Sequence, residues 1–153
     1  MTSKEKQIEN CEPILPYPAA AALAFVSIGA HAATINFKAD LKAASEVPPK
    51  DSSGSGTLTG TLDTDTNEFK YHVEFSGLTG PVVAAHFHGP AAVGANAKPQ
   101  LPIKTGQITS PLEGKATLTP EQEKDLADGK WYFNLHTTAN PGGEIRGQVV
   151  KSE

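Results

Sequence analysis

From Thr34 onward, apolar and polar residues alternate in short runs separated by turn residues. Ile35, Phe37, Ala39 and Leu41 fall on one side of a first strand, with Asn36, Lys38 and Asp40 on the other. Two prolines in Glu46-Val47-Pro48-Pro49 end that ladder because neither donates a backbone hydrogen bond, and Asp51 to Gly56 reads as a Ser/Gly turn. A second strand follows at Thr57 to Leu62. The turn Asp63 to Asn67 leads into a third, where Phe69, Tyr71, Val73 and Phe75 alternate with Lys70, His72 and Glu74. Val82 to His88 reads as a fourth strand, with Val83, Ala85 and Phe87 on one face and Ala84, His86 and His88 on the other. A long Pro/Ala/Gly-rich connection, Gly89 to Pro102, begins directly after His88.

Further strands are expected at Ile103 to Ile108 and Gly114 to Leu118. Thr119-Pro120-Glu121-Gln122 then combines an N-cap threonine, a proline at the first helical position and a capping-box glutamine, predicting a short helix that ends near Gly129. Trp131, Phe133 and Leu135 next alternate with Tyr132, Asn134 and His136. Asn140-Pro141-Gly142-Gly143 turns the chain into a last strand over Glu144 to Val150. About eight short strands with one helical turn predict an all-β fold, a Greek-key β-sandwich or flattened barrel of antiparallel strands.

One run breaks the alternation. Ala19 to Ala30 is apolar but too short to span a bilayer as an ordinary helix, and Ala30-His31-Ala32 supplies the small residues of a signal-peptidase site. Residues 1–32 are therefore expected to be a signal peptide cleaved between Ala32 and Ala33, leaving one domain over 33–153. The alternative is an apolar N-terminal helix packed on the domain, or a disordered tail. The flanking charges, Lys4 and Lys6 against Glu5, Glu9 and Glu12, depart from a simple basic leader. The only cysteine, Cys11, lies ahead of the apolar run, so no disulfide staples the domain that follows.

The chain of 153 residues carries a net charge of −4 without a basic run, which argues against a nucleic-acid partner. No second apolar stretch is long enough to span a membrane, so a soluble protein of the periplasm or the cell exterior is expected. Homo-oligomer formation and the identity of any protein partner are left open.

The chemistry concentrates in histidine. His86 and His88 are separated by one residue in an extended segment, so their imidazoles point the same way and can close on one metal ion. His136 lies opposite the aromatic face of its own strand and is the candidate third ligand. Imidazole nitrogens suit copper or zinc at about 2.0 Å. The plainer alternative is a polar strand face meeting solvent. His72 also faces outward, between Lys70 and Glu74, and is read as a surface residue and the reserve fourth ligand. Asp63 and Asp65 bracket a turn, but acidic turn residues usually cap their own backbone and no calcium-loop spacing follows. No nucleophile elbow, phosphate loop or Cys-His pair gives a hydrolase or nucleotide-binding reading a starting point.

Four ordered blocks together resemble the chordin-type, or CHRD, domain. They are Glu46-Val47-Pro48-Pro49, the Gly-rich run after it, Ala85-His86-Phe87-His88-Gly89-Pro90-Ala91, and Asn134-Leu135-His136-Thr137-Thr138 with Asn140-Pro141-Gly142-Gly143-Glu144-Ile145-Arg146-Gly147-Gln148. The resemblance spans nearly all of Ala33 to Lys151. It implies a fold similar to copper/zinc superoxide dismutase, whose copper is held in part by a His-x-His strand and a later strand histidine, and so implies His86, His88 and His136 as copper-type ligands. The chain departs from the dismutase in having no histidine between His88 and His136, hence neither the metal-bridging imidazole nor the zinc cluster, and no structural disulfide. Dismutase activity is therefore not favoured. Arg146 is similar to the dismutase arginine that guides the anionic substrate, but strand parity sets it two residues from Glu144 on one face, so an ionic pairing with Glu144 is expected. The resulting expectation is an exported protein with one mononuclear copper site, zinc second, working in metal handling or redox. The alternative is a secreted non-catalytic binding or structural module without metal.

Overall fold

The computed structural model describes residues 33–103 and 107–153, so the expected leader over 1–32 lies outside the described residues. Eight antiparallel strands form one sheet: β1 (Thr34–Lys42), β2 (Ser55–Asp63), β3 (Glu68–Ser76), β4 (Val82–His88), β5 (Pro99–Pro102), β6 (Leu112–Thr117), β7 (Trp131–Thr137) and β8 (Ile145–Lys151). Their order is β5-β4-β7-β8-β1-β2-β3-β6. The chain thus crosses between the two halves from β3 to β4, from β5 to β6 and from β6 to β7, the non-consecutive order of a Greek-key arrangement.

Alternation sets which side of the sheet is buried. Phe37, Ala39 and Leu41 on β1, Leu58 and Leu62 on β2, Phe69 and Val73 on β3, and Trp131, Phe133 and Leu135 on β7 all face one core. The aromatic contacts show that the sheet curls. β3 and β4 are separated by four strands, yet Phe69 and Phe87 meet edge to face at 5.5 Å, and Tyr71 and Phe87 at 5.1 Å. Closing the sheet into a barrel-like shape brings its two halves together across these rings.

The helix α1 (Pro120–Ala127) forms at the predicted place. The Thr119 hydroxyl accepts from the Gln122 N–H at 3.2 Å, the Gln122 side chain accepts from the Thr119 N–H at 3.0 Å, and Leu126 is the residue it buries. Thr119→Ala is expected to cost about 1 kcal/mol of stability, measured by urea unfolding.

Two expectations are corrected. Val83 does not share a face with Ala85 and Phe87: it is 40% exposed, whereas Val82 is buried. A register shift between Val82 and Ala84 in the β4–β7 pairing reverses the parity at the start of the strand, as a bulge does. The strand expected over Ile103–Ile108 lies earlier, as β5 at Pro99–Pro102. Two prolines are tolerated there because β5 is an edge strand pairing with β4 alone. Ile108 makes a single bridge to Val82, and residues 104–106 lie outside the described residues.

Candidate metal centre

The outer face of β4, β7 and β8 is not a solvated surface. Tyr132, Asn134 and Arg146 point away from the barrel core yet are almost fully buried, as is Glu46, and His88 is only 9% exposed. The connection from Gly89 to Lys98 covers them. Its main chain is tied down by Gly89 N–H to the Lys98 carbonyl (3.2 Å) and Ala91 N–H to the Lys130 carbonyl (2.8 Å). Gln148 on β8 donates to the Ala91 carbonyl at 3.0 Å, and the Tyr132 hydroxyl accepts from the Ala97 N–H at 3.2 Å. The long loop therefore makes a second, polar interior on the far side of the sheet.

Within that interior the structure brings His86, His88 and His136 together, their candidate ligand atoms all within 4.8 Å of one another. Pairing of β4 with β7 does this, since His86 lies opposite Asn134 and Ala84 opposite His136. The His86 and His136 rings are 4.9 Å apart between centroids, and those of His86 and His88 5.5 Å. His86 and His136 are half-buried at the rim, while His88 sits under the loop.

Hydrogen bonds fix the tautomers. A carbonyl oxygen only accepts, so His88 Nδ1, 2.9 Å from the Ala97 carbonyl, carries a proton, and so does His136 Nδ1, 2.9 Å from the Pro141 carbonyl. The neutral rings then present lone pairs at His88 Nε2 and His136 Nε2. His86 Nδ1 lies 3.0 Å from His136 Nε2 and donates to it when no ion is between them. Moving that proton to the other nitrogen of His86 leaves three bare nitrogens converging: His86 Nδ1, His88 Nε2 and His136 Nε2. Carbonyl partners on the far ring nitrogens are how metal-ligating histidines are usually oriented.

Burial holds the pKa of His86 and His88 below the usual histidine value, and the neighbouring imidazoles push in the same direction. For His86 these are His136 and His88; for His88, His136 contributes while the bonds to Ala97 and Asn134 oppose the shift. Both rings therefore favour the neutral form that a metal requires. His88 also stacks on Tyr132, 4.7 Å between centroids and 2° from parallel, and the Arg146 guanidinium lies 3.3 Å over the same tyrosine ring.

His72 and Asp63 take the surface and turn-capping places expected of them, whereas Arg146 does not take the partner expected of it. His72 is not a fourth ligand: it lies on β3 with its ring on Glu113 at 2.8 Å and Glu74 at 3.4 Å, outside the histidine cluster. Asp63 caps its own turn, accepting from the Asp65 and Thr66 N–H groups at 2.9 and 3.0 Å. Arg146 does not pair with Glu144. It donates to the Asn96 side chain at 2.9 Å and to the Ala95 carbonyl, because the loop that covers β8 supplies these acceptors directly above it.

Glu144 has its own site, which sequence reasoning missed. Its Oε1 accepts from the Ser52 hydroxyl (2.6 Å) and the Thr79 N–H (2.8 Å), and its Oε2 from the hydroxyls of Thr79 (2.8 Å) and Thr137 (2.6 Å). Burial alone would raise its pKa, but these donors overcome it and hold the carboxyl at about 2. The signal was present in Thr137-Thr138 and Asn140 to Glu144, a threonine pair and a glycine turn ending on an acid at the start of a strand.

Gly143, with φ +116°, explains part of that turn. A Cβ there would stand 2.5 Å from Glu46 Oε1 and 3.0 Å from Asn134 Nδ2, so only glycine lets the Glu46 carboxyl and the Asn134 amide approach beneath the turn.

Comparison with protein families decides the kinship: the CHRD domain matches residues 37–149. The chain belongs to the CHRD domain family. CHRD domains occur in extracellular and secreted proteins. Comparisons with curated proteins and with solved structures return no match. All three histidines of the cluster, together with Glu46, Asn134 and Glu144, fall within the matched CHRD region. Among the described residues no helix is long and apolar enough to cross a membrane.

Proposed function

We propose that this CHRD domain holds one copper ion, with zinc as the second choice, through His86 Nδ1, His88 Nε2 and His136 Nε2, and serves metal handling or redox chemistry in an exported, periplasmic or secreted protein. The observation that carries the reading is the convergence of three imidazoles, two of them with the far nitrogen committed to a carbonyl. Donors about 2.0–2.1 Å from one ion stand about 2.9–3.4 Å apart at coordination angles of 90–109°. The 3.0 Å between His86 Nδ1 and His136 Nε2 falls in that range. The full spread of 4.8 Å is wider than a donor shell, whose opposite members are about 4.1 Å apart, so a bound ion draws the rings inward.

The second reading, a secreted binding or structural module without metal, is favoured by the hydrogen bond between His86 and His136, which partners those two rings in the absence of an ion. Superoxide dismutation is not part of the proposal. Arg146 is 2% exposed and committed to Asn96 and Ala95, so it presents no guanidinium to an incoming anion.

Metal content by mass spectrometry, on protein exported to the periplasm and on a His86/His88/His136 triple alanine variant, tests the reading. Copper or zinc near one equivalent, absent from the variant, is the expected result. No metal in either, even after copper loading, would leave the module reading standing.

A further inference from the structure

We infer that the site has a fourth protein donor, the side-chain oxygen of Asn134, and that this oxygen biases the site toward Cu(II) or zinc over Cu(I). The inference rests on the three-histidine reading above. Asn134 Oδ1 lies 3.1 Å from His88 Nε2 and 3.0 Å from His136 Nε2. In the neutral rings both nitrogens carry lone pairs, because the single proton of each sits on Nδ1 and is committed to a carbonyl. An amide oxygen carries no proton either. In the ion-free state the hydrogen of His86 Nδ1 serves His136 Nε2, but none lies between His88 Nε2 and Asn134 Oδ1, two acceptors in contact that a cation among them would reconcile.

Rotating the amide so that its NH2 faces the histidines does not resolve this. Asn134 Nδ2 lies on the Glu46 side, both atoms bordering the space above Gly143. Glu46 is 5% exposed and its Oε1 has no hydrogen-bond partner, so it offers the amide an acceptor-rich neighbour. A rotated amide would set its oxygen against that carboxyl and merely move the conflict. The orientation that gives the NH2 to Glu46 aims the oxygen at the histidines.

The separations also fit coordination. The distances of 3.0 and 3.1 Å from Oδ1 to two histidine nitrogens lie within the range of donors sharing one ion, about 2.9–3.4 Å. Parity agrees: Asn134 and His136 are on the same face of β7, and Asn134 pairs directly across from His86 on β4. An amide oxygen is a hard donor, which suits Cu(II) and zinc better than the soft Cu(I) ion.

The test compares wild type, Asn134→Leu and Asn134→Asp by Cu(II) titration, Cu(II) electron paramagnetic resonance and Cu(I) competition against a chromogenic chelator. Asn134→Leu is expected to weaken Cu(II) at least tenfold while Cu(I) affinity changes less than threefold. Asn134→Asp, the same shape with a charged oxygen, is expected to hold or tighten Cu(II) and to shift its resonance signal from that of wild type. Unchanged Cu(II) affinity in the leucine variant, or an unshifted signal in the aspartate variant should the leucine protein not fold, would overturn the fourth-donor assignment and leave the three histidines intact. A wild-type protein that binds neither Cu(II) nor zinc would instead remove the metal reading itself.

Discussion

Glu144→Ala is expected to be the most destabilising single substitution considered for this domain, costing about 3–5 kcal/mol in urea unfolding, because it strips a buried acceptor from four donors at once. Hydroxyls of Ser52, Thr79 and Thr137 can turn elsewhere, but the Thr79 N–H is fixed in the backbone. The carboxylate ties together three separated segments: the turn before β2, the connection from β3 to β4, and the end of β7. A small domain is stable by only about 5–15 kcal/mol, so losing this tie should bring the protein close to unfolding at 37 °C. A loss below about 1 kcal/mol would show that water replaces the carboxylate readily.

Acid sensitivity follows with a definite sign. The folded-state pKa of Glu144 is about 2 against an ordinary value of 4.5. A depressed carboxyl contributes its full stabilisation above the unfolded value and loses it as pH falls toward the folded one. The wild type should therefore lose stability between about pH 4.5 and 2, and Glu144→Gln should lose less over the same window. Other carboxylates titrate there too, so the difference between the two proteins is the measurement. Parallel curves would mean that Glu144 does not sense the change.

Much of this architecture was legible from residue order because a strand writes its burial in a period of two. Phe37, Leu58, Phe69, Phe87 and Phe133 all face the core, as alternation predicts, and the helix start at Thr119 is readable from capping chemistry alone. What failed depends on contacts that no period records. Val83 turned outward because a bulge shifts parity by one residue, and a bulge leaves no mark in the pattern of hydrophobicity. Arg146 and Glu144 share neither a partner nor an environment: the covering loop claims the arginine, and the Ser/Thr donors claim the acid. Strand parity sets the histidines on an outer face, but outer here does not mean solvated, since the Pro/Ala/Gly-rich loop folds back over them. Asn134 was invisible for the same reason. Its importance comes from the positions of His88, His136 and Glu46 around it, which only β4–β7 pairing and the Gly143 turn create.

That covering decides how the histidine site should be probed. His136→Ala is expected to reduce copper affinity by about a hundredfold or more while changing stability by under about 1 kcal/mol, since the ring sits at the rim and the two hydrogen bonds it loses, one to the Pro141 carbonyl and one from His86 Nδ1, leave partners that water can reach there. His88→Ala is expected to match it in copper affinity but to cost about 2–4 kcal/mol as well. The buried His88 ring stacks on Tyr132 and donates to the Ala97 carbonyl, so its removal opens a cavity under the loop and frees one of the loop's anchors. Copper titration and thermal unfolding on the two variants separate ligand loss from scaffold loss. If both variants lose copper and only His88→Ala loses stability, the two roles of the cluster are established independently. If His136→Ala keeps wild-type copper affinity, the ion does not bind where the three imidazoles converge, and the rim histidine belongs to a hydrogen-bond network rather than a metal centre.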